Sequence, residues 1–120
     1  MPDIKFTEYE SGKNKDIKVV VLNGSVDAYN SEMLSEKLEA VIKAGFYKVV
    51  VDCSKLNFIS SSGMGVFLAM EDDFLSHGGG LKFTAIPDNI MNVFKKVGLS
   101  DIFKTYAQES QALDDFNRGI

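Results

Sequence analysis

Residues Asp52 to Val66 read D-C-S-K-L-N-F-I-S-S-S-G-M-G-V. The run that leads into them, Lys48-Val49-Val50-Val51-Asp52, is short, β-branched and apolar on both faces, which predicts a central strand. The run that follows, Gly63 to His77, predicts a helix whose first half is apolar nearly all round through Val66, Phe67, Leu68 and Met70. Ser60, Ser61 and Ser62 therefore fall at a strand-to-helix junction, by the first turn of that helix. Helix N-termini carry unpaired N–H groups and a partial positive charge, and both favour an oxyanion. A serine there has two readings. It is an N-cap, the commonest use of the residue, or it is an acceptor whose phosphate the helix end can tolerate.

Working outward, Ile4 to Tyr9 alternates apolar and polar, and Ile17 to Leu22 forms a second apolar run. The short turn Ser11-Gly12-Lys13-Asn14 between them predicts an antiparallel hairpin, with Asn23-Gly24 ending the second strand. Asn30 or Ser31 caps a helix carrying Leu34, Leu38, Val41 and Ile42 on one face, and Gly45 stops it. Gly78-Gly79-Gly80 introduces a strand over Leu81 to Ile86. Pro87-Asp88 opens a helix with Ile90, Val93, Phe94 and Val97 on one face, and Gly98 closes it. Phe103 to Tyr106 reads as a short edge strand, and Leu113, Phe116 and Ile120 as a last amphipathic helix. The order ββαβαβα followed by βα predicts an α/β fold as a single domain over 1–120. Its mixed sheet has four to five strands, the later ones parallel through right-handed crossovers, with about four helices mainly on one face.

Composition narrows the function classes. The chain has 120 residues, 45% hydrophobic and 25% charged, with a formal net charge of −4 and no basic run. Direct nucleic-acid binding is not expected of such a chain. Met1-Pro2-Asp3-Ile4-Lys5 is not a signal peptide, and no apolar run approaches the ~20 residues that span a bilayer. A soluble cytoplasmic protein without membrane contact is expected. Cys53 is the only cysteine and His77 the only histidine. That excludes an internal disulfide and argues against a metal site, so no cofactor is expected. Cys53 reads as a small apolar core residue, and His77 as the end of its helix.

Catalytic motifs are missing as well. A nucleophile elbow needs glycine two residues before its serine, where Ser60 stands before Ser62. Gly63-x-Gly65 is a fragment of a dinucleotide fingerprint, without its third glycine. Glu71-Asp72-Asp73 reads as a solvated helix face, with steering of a basic partner as the second reading.

Four segments together resemble the STAS domain family, and within it the anti-sigma factor antagonists. Val21-Leu22-Asn23-Gly24-Ser25-Val26-Asp27 is similar to the family's L-x-G-x-[LV]-D turn. Val49 to Gly65 is similar to its hydrophobic strand followed by D-x-S-x-[LV]-x-[FY]-[IM]-D-S-S-G-[LM]-G. Phe83 to Phe94 fits its strand and helix, and Val97-Gly98-Leu99 with Ile102-Phe103 its x-G-L-x-x-[IV]-[FI] ending. The resemblance implies a STAS-like fold and a binding protein rather than an enzyme. Such antagonists bind an anti-sigma factor that is often also a serine kinase, and so release a sigma factor. Phosphorylation blocks binding, and a PP2C-type serine phosphatase restores it.

Carried onto this sequence, the phosphorylated serine is Ser62, with Ser61 as the alternative. The partner-binding set is Asp27, Asn30, Ser60, Ser61, Ser62, Gly63 and Met64. Met64, in the first turn, is the expected apolar contact, and Phe67 packs on the sheet. The chain departs from the pattern in two places: Ser60 replaces the usual aspartate, and Asn30 a common threonine. The lost carboxylate bears on kinase recognition. The absence of added segments points to a stand-alone antagonist, with a phosphorylation-independent STAS adaptor or scaffold module as the alternative.

Overall fold

Alternating apolar residues build a hairpin of Ile4–Ser11 (β1) and Ile17–Val26 (β2), paired antiparallel from Ile4 opposite Gly24 to Ser11 opposite Ile17. The computed structural model describes residues 3–120; Met1 and Pro2, which belong to the leader-peptide question, lie outside the described residues. After the hairpin the chain runs through Ser31–Lys43 (α1), Lys48–Ile59 (β3), Ser61–Ser76 (α2), Gly80–Thr84 (β4) and Asp88–Lys96 (α3). A 3₁₀ turn at Leu99–Asp101, a two-residue strand Thr105–Tyr106 (β5) and the helix Glu109–Asn117 (α4) complete it. The five strands lie in chain order, and every pair from β2 onward is parallel.

That order dictates where the helices go. Right-handed crossovers that always step the same way along a sheet place each connecting helix on the same face. Accordingly α1, α2 and α3 share one layer. Leu34, Leu38, Phe67, Phe74 and Phe94 pack there with Val49, Val51 and Cys53 of β3. Phe83 of β4 sits at its centre, with the rings of Phe67, Phe103 and Phe94 edge-on at centroid distances of 4.8, 5.0 and 5.5 Å. The alternate residues Ile17, Val19 and Val50 face the other way, where α4 covers them with Ala112 and Phe116. Hydroxyl–carboxylate hydrogen bonds pin α4 in place: Tyr106 donates to Asp115 at 2.6 Å, and Tyr9 donates to Glu109. Burial, then the carboxylate partner, raises the pKa of both phenols, while the Tyr106 hydroxyl lowers that of Asp115.

Several boundaries differ from the sequence-based expectation. β2 does not stop at Asn23-Gly24 but continues to Val26, and β3 continues past Asp52 to Ile59. Gly24 takes a φ of 121° in which a Cβ would stand 2.1 Å from the Asp3 carbonyl oxygen, so glycine here lets two strands approach closely instead of turning. The irregularities between Val21 and Asn23 and between Gly24 and Ser25 let β2 and β3 stay paired through Val26 and Ile59. β4 ends at Thr84, because Ala85 takes a φ of 54°. Val93 and Val97 are exposed, and only Ile90 and Phe94 of the expected α3 face are buried. Ile120 lies beyond the end of α4 and is exposed; Ala112 joins Phe116 in the core instead. Among the described residues, no helix is long and apolar enough to cross a membrane.

Candidate functional site

The extra length of β2 and β3 carries their C-terminal ends to one place. Val26 and Ile59 are register partners, and the Ser60 N–H donates to the Val26 carbonyl at 2.8 Å. The loop that begins at Asp27 and the serines that begin α2 therefore leave neighbouring strand ends side by side. In parallel sheets this carboxyl-end rim is where binding sites collect.

Each serine has its own role. Ser60 is the N-cap, its Oγ accepting the Gly63 N–H at 3.2 Å. Helix α2 starts at Ser61, two positions earlier than Gly63, because that cap satisfies an otherwise orphan amide. Ser61 and Ser62 occupy the first two helical positions, and both are exposed. Ser62 Oγ shares a 2.8 Å hydrogen bond with Ser60 Oγ. Ser60 thus closes the helix, while Ser61 and Ser62 remain open to solvent, Ser62 tethered through the cap hydroxyl.

Gly63 sets the depth of the helix. A Cβ there would lie 2.7 Å from Val26 Cγ1 and 2.9 Å from Ile59 Cγ1, both on stiff, buried side chains. Gly65 has open space around it and is exposed. Gly63→Ala should therefore destabilise the fold by about 1–3 kcal/mol through overpacking, against a helix-propensity gain of about 1 kcal/mol. Gly65→Ala should be neutral or stabilising by up to about 1 kcal/mol. Urea unfolding of the two variants checks the contrast, and equal midpoints would show that the strand ends yield to the methyl group.

The neighbouring loop is locked by its own side chains. Asp27 Oδ1 accepts the Tyr29 and Asn30 N–H groups, each at 2.9 Å. Asn30 Oδ1 accepts the Asp27 N–H at 2.8 Å, and its Nδ2 donates to the Ser25 carbonyl at 2.9 Å. Asn30 was expected to cap α1 or to meet a partner. It makes no side-chain cap bond and is buried, because its amide is spent on holding the loop. Asp27 stays half-exposed at the rim.

Met64 also departs from expectation. It is only 6% exposed and belongs to the core, since Gly63, Phe67, Met70 and Phe74 fix the inward face of α2 and Met64 falls among them. The same geometry turns Ser61, Gly65 and Leu68 outward, and Leu68 is 42% exposed. Tyr29, at 81%, and Phe58 are further exposed apolar side chains on the Asp27 loop and just before Ser60. The outward direction of Gly65 and Leu68 was legible in the 3–4 spacing of Gly63, Phe67, Met70 and Phe74, whereas the exposure of Tyr29 and Phe58 had no such signal. Phe67 packs inside as expected. Glu71 does not point to solvent with Asp72 and Asp73: its Oε1 accepts the Leu81 N–H at 2.9 Å, and burial raises its pKa. Cys53 is buried, which pushes its thiol pKa up. His77 stacks on Tyr47 at the other end of α2 from the serines.

The family described as STAS domain matches residues 9–112. The chain belongs to the STAS domain family. This STAS domain is 31% identical over 102 residues to BtrV of Bordetella bronchiseptica, covering 85% of this chain and 88% of the relative. It is 28% identical over 93 residues to the anti-sigma-B factor antagonist of Bacillus subtilis, covering 78% and 84%. The anti-sigma factor antagonist SpoIIAA has the same fold. Its unphosphorylated form superposes with a TM-score of 0.78 at 24% identity, over 97% of this chain and 98% of that one. The phosphorylated form of this Bacillus protein superposes at 0.70 and 22%, over 93% and 99%.

Proposed function

We propose that this STAS domain is an anti-sigma factor antagonist that works by partner switching. In its unphosphorylated form it binds an anti-sigma factor that is also a serine kinase, and so frees a sigma factor. Phosphate on Ser62 ends the binding, and a PP2C-type phosphatase resets it. The protein serves as ligand and substrate rather than as catalyst, and works in the bacterial cytoplasm. The observation that carries this reading is the solvent-open Ser62 hydroxyl at the second position of α2, on a rim flanked by Asp27 and exposed apolar side chains. The relatives named as anti-sigma factor antagonists support it.

The local physics fits such a switch. A phosphoserine adds a charge of about −1.5 to −2, and the first turn of a helix accommodates it. Ser60, standing where the family usually has aspartate, caps the helix without placing a negative charge beside that phosphate. The docking surface is assigned to Asp27, Ser61, Ser62, Gly65 and Leu68, with Tyr29 and Phe58 as flanking contacts. Gly63 and Asn30 shape that surface from beneath, and Met64 supports it from the core.

The test is a pull-down from native lysate with and without ATP, with phosphopeptide mapping of the bait. ATP-dependent phosphate on Ser62, together with loss of a co-purifying kinase-like protein, is the expected result. A partner kept regardless of ATP, with Ser60, Ser61 and Ser62 all unmodified, would refute the switch and favour a phosphorylation-independent adaptor. Asp27→Asn keeps an oxygen for the Tyr29 and Asn30 amides but removes the charge. It should weaken partner binding by about tenfold and leave the melting temperature unchanged. Unaltered affinity in a calorimetric titration would remove Asp27 from the interface.

A further inference from the structure

A second site lies away from the serines, at the edge of β4. Strand β5 pairs only with Phe83 and Thr84, so the beginning of β4 has no strand on its outer side. A cleft of about 190 Å³ opens there. Leu75, Ile102, Phe116 and Ile120 form its apolar walls, Lys82 and Lys104 supply its cations, and Glu71 lines it with a carboxylate. Leu75, Ile102 and Ile120 are large apolar side chains left in contact with water, Ile102 at 55% exposure.

Lys82 sets this cleft apart. It is 7% exposed, and among the described residues it has no carboxylate within 4 Å and no hydrogen-bond acceptor. Its ammonium rests 4.7 Å from the Phe116 ring centroid and 5.8 Å from that of Tyr106. Such rings supply only part of what a full ion pair would, and the ammonium tip keeps contact with water. Burial lowers the Lys82 pKa, the like charge of Lys104 lowers it further, and Asp115 and Glu71 oppose both. Those two acids are already engaged: Asp115 accepts from the Tyr106 hydroxyl, and Glu71 from the Leu81 amide. The two ammonium groups beside the apolar cleft thus have no ion pair within 4 Å among the described residues, although both acids lie near enough to act on Lys82.

We propose that this cleft binds a short-chain aliphatic carboxylate, its head meeting Lys82 and Lys104 and its tail covering Leu75, Ile102, Phe116 and Ile120. The cleft is short and open to solvent, which suits a chain as short as hexanoate. An anion between two like charges relieves their repulsion, and covering wet apolar side chains adds a hydrophobic contribution. The proposal is independent of the serine switch, since the cleft borders the start of β4 and the serines follow the end of β3.

The test is a titration of the full chain with sodium hexanoate, followed by backbone amide NMR, with hexanol and hexylammonium as matched probes. Saturable shifts concentrated at Leu81, Lys82, Ile102 and Lys104, seen with hexanoate and not with the other probes, are expected. Lys82→Met keeps the stem on Phe116 but removes the charge, and should weaken binding by about tenfold or more. Lys104→Gln, at an exposed position where folding is not at stake, should weaken it in the same direction. Shifts that never saturate or that scatter over the surface would overturn the proposal. So would hexanol binding as well as hexanoate, or unchanged affinity in the lysine variants.

Discussion

Phosphorylated protein and Ser62→Asp should bind the anti-sigma factor more weakly than Ser62→Ala, with the phosphate lowering affinity by more than about a hundredfold. The size follows from where the charge lands. Ser62 is exposed beside Gly65, which offers no side chain to hold a partner away, so a docked surface comes close to the hydroxyl and excludes water there. A doubly charged group without a cationic partner in such an interface loses several kcal/mol of solvation. The fold should not suffer, because an acid in the first helical turn is favourable by about 0.3–1 kcal/mol. Titration calorimetry of the three forms against the partner, alongside their melting curves, separates the two effects. Equal affinity of Ser62→Ala and Ser62→Asp would sink the mechanism, and a large fall in melting temperature would turn it into an unfolding effect.

Phe83→Ala should be the most damaging single truncation for stability, at about 3–5 kcal/mol. The total stability of such a domain is only about 5–15 kcal/mol. Phe83 is fully buried, and its ring meets those of Phe67 from α2, Phe94 from α3 and Phe103 ahead of β5. One cavity would thereby loosen three elements at once, and none can collapse inward without abandoning the others. Phe58→Ala is the control, an exposed ring whose loss should cost less than about 0.5 kcal/mol. Urea unfolding measures both. A Phe83→Ala cost below about 1 kcal/mol would show that the aromatic cluster is not what joins the helical layer to β4.

The architecture was readable wherever residue period and punctuation agreed. Val49-Val50-Val51 announced a strand buried on both faces, and it lies third among five, between the helical layer and α4. The crossover order followed from the alternation of strands and helices alone. Glycine misled where it served proximity instead of reversal: Gly24 reads as a strand end, yet it makes room for the Asp3 carbonyl while the strand continues. At the site, the position of the serines was legible, because a cap needs only local sequence. Which of them caps depended on Ser60 reaching Gly63 at 3.2 Å, and local sequence does not choose among three identical neighbours. Met64 was placed outside because it lies in the first turn of the helix. The helical spacing from Phe67 and Phe74 puts it inside, so periodicity was the better guide. Asn30 and Glu71 escaped for a shared reason. Asn30 was given to a helix cap or a partner and Glu71 to water, and the residue types alone do not reveal that a backbone group outside the helix, the Ser25 carbonyl or the Leu81 amide, will claim the side chain.

The single helix on the second face of the sheet bears on how the chain is made. Ile17, Val19 and Val50 are in place once β2 and β3 have formed, but Ala112 and Phe116 are translated after every strand of the sheet. A nascent chain that has reached Tyr106 can assemble the whole helical layer while one side of its sheet remains bare. Apolar sheet surface of that kind is what chaperones capture and what aggregates in their absence. Synthesis of α4 is therefore the step that covers the sticky face of the sheet.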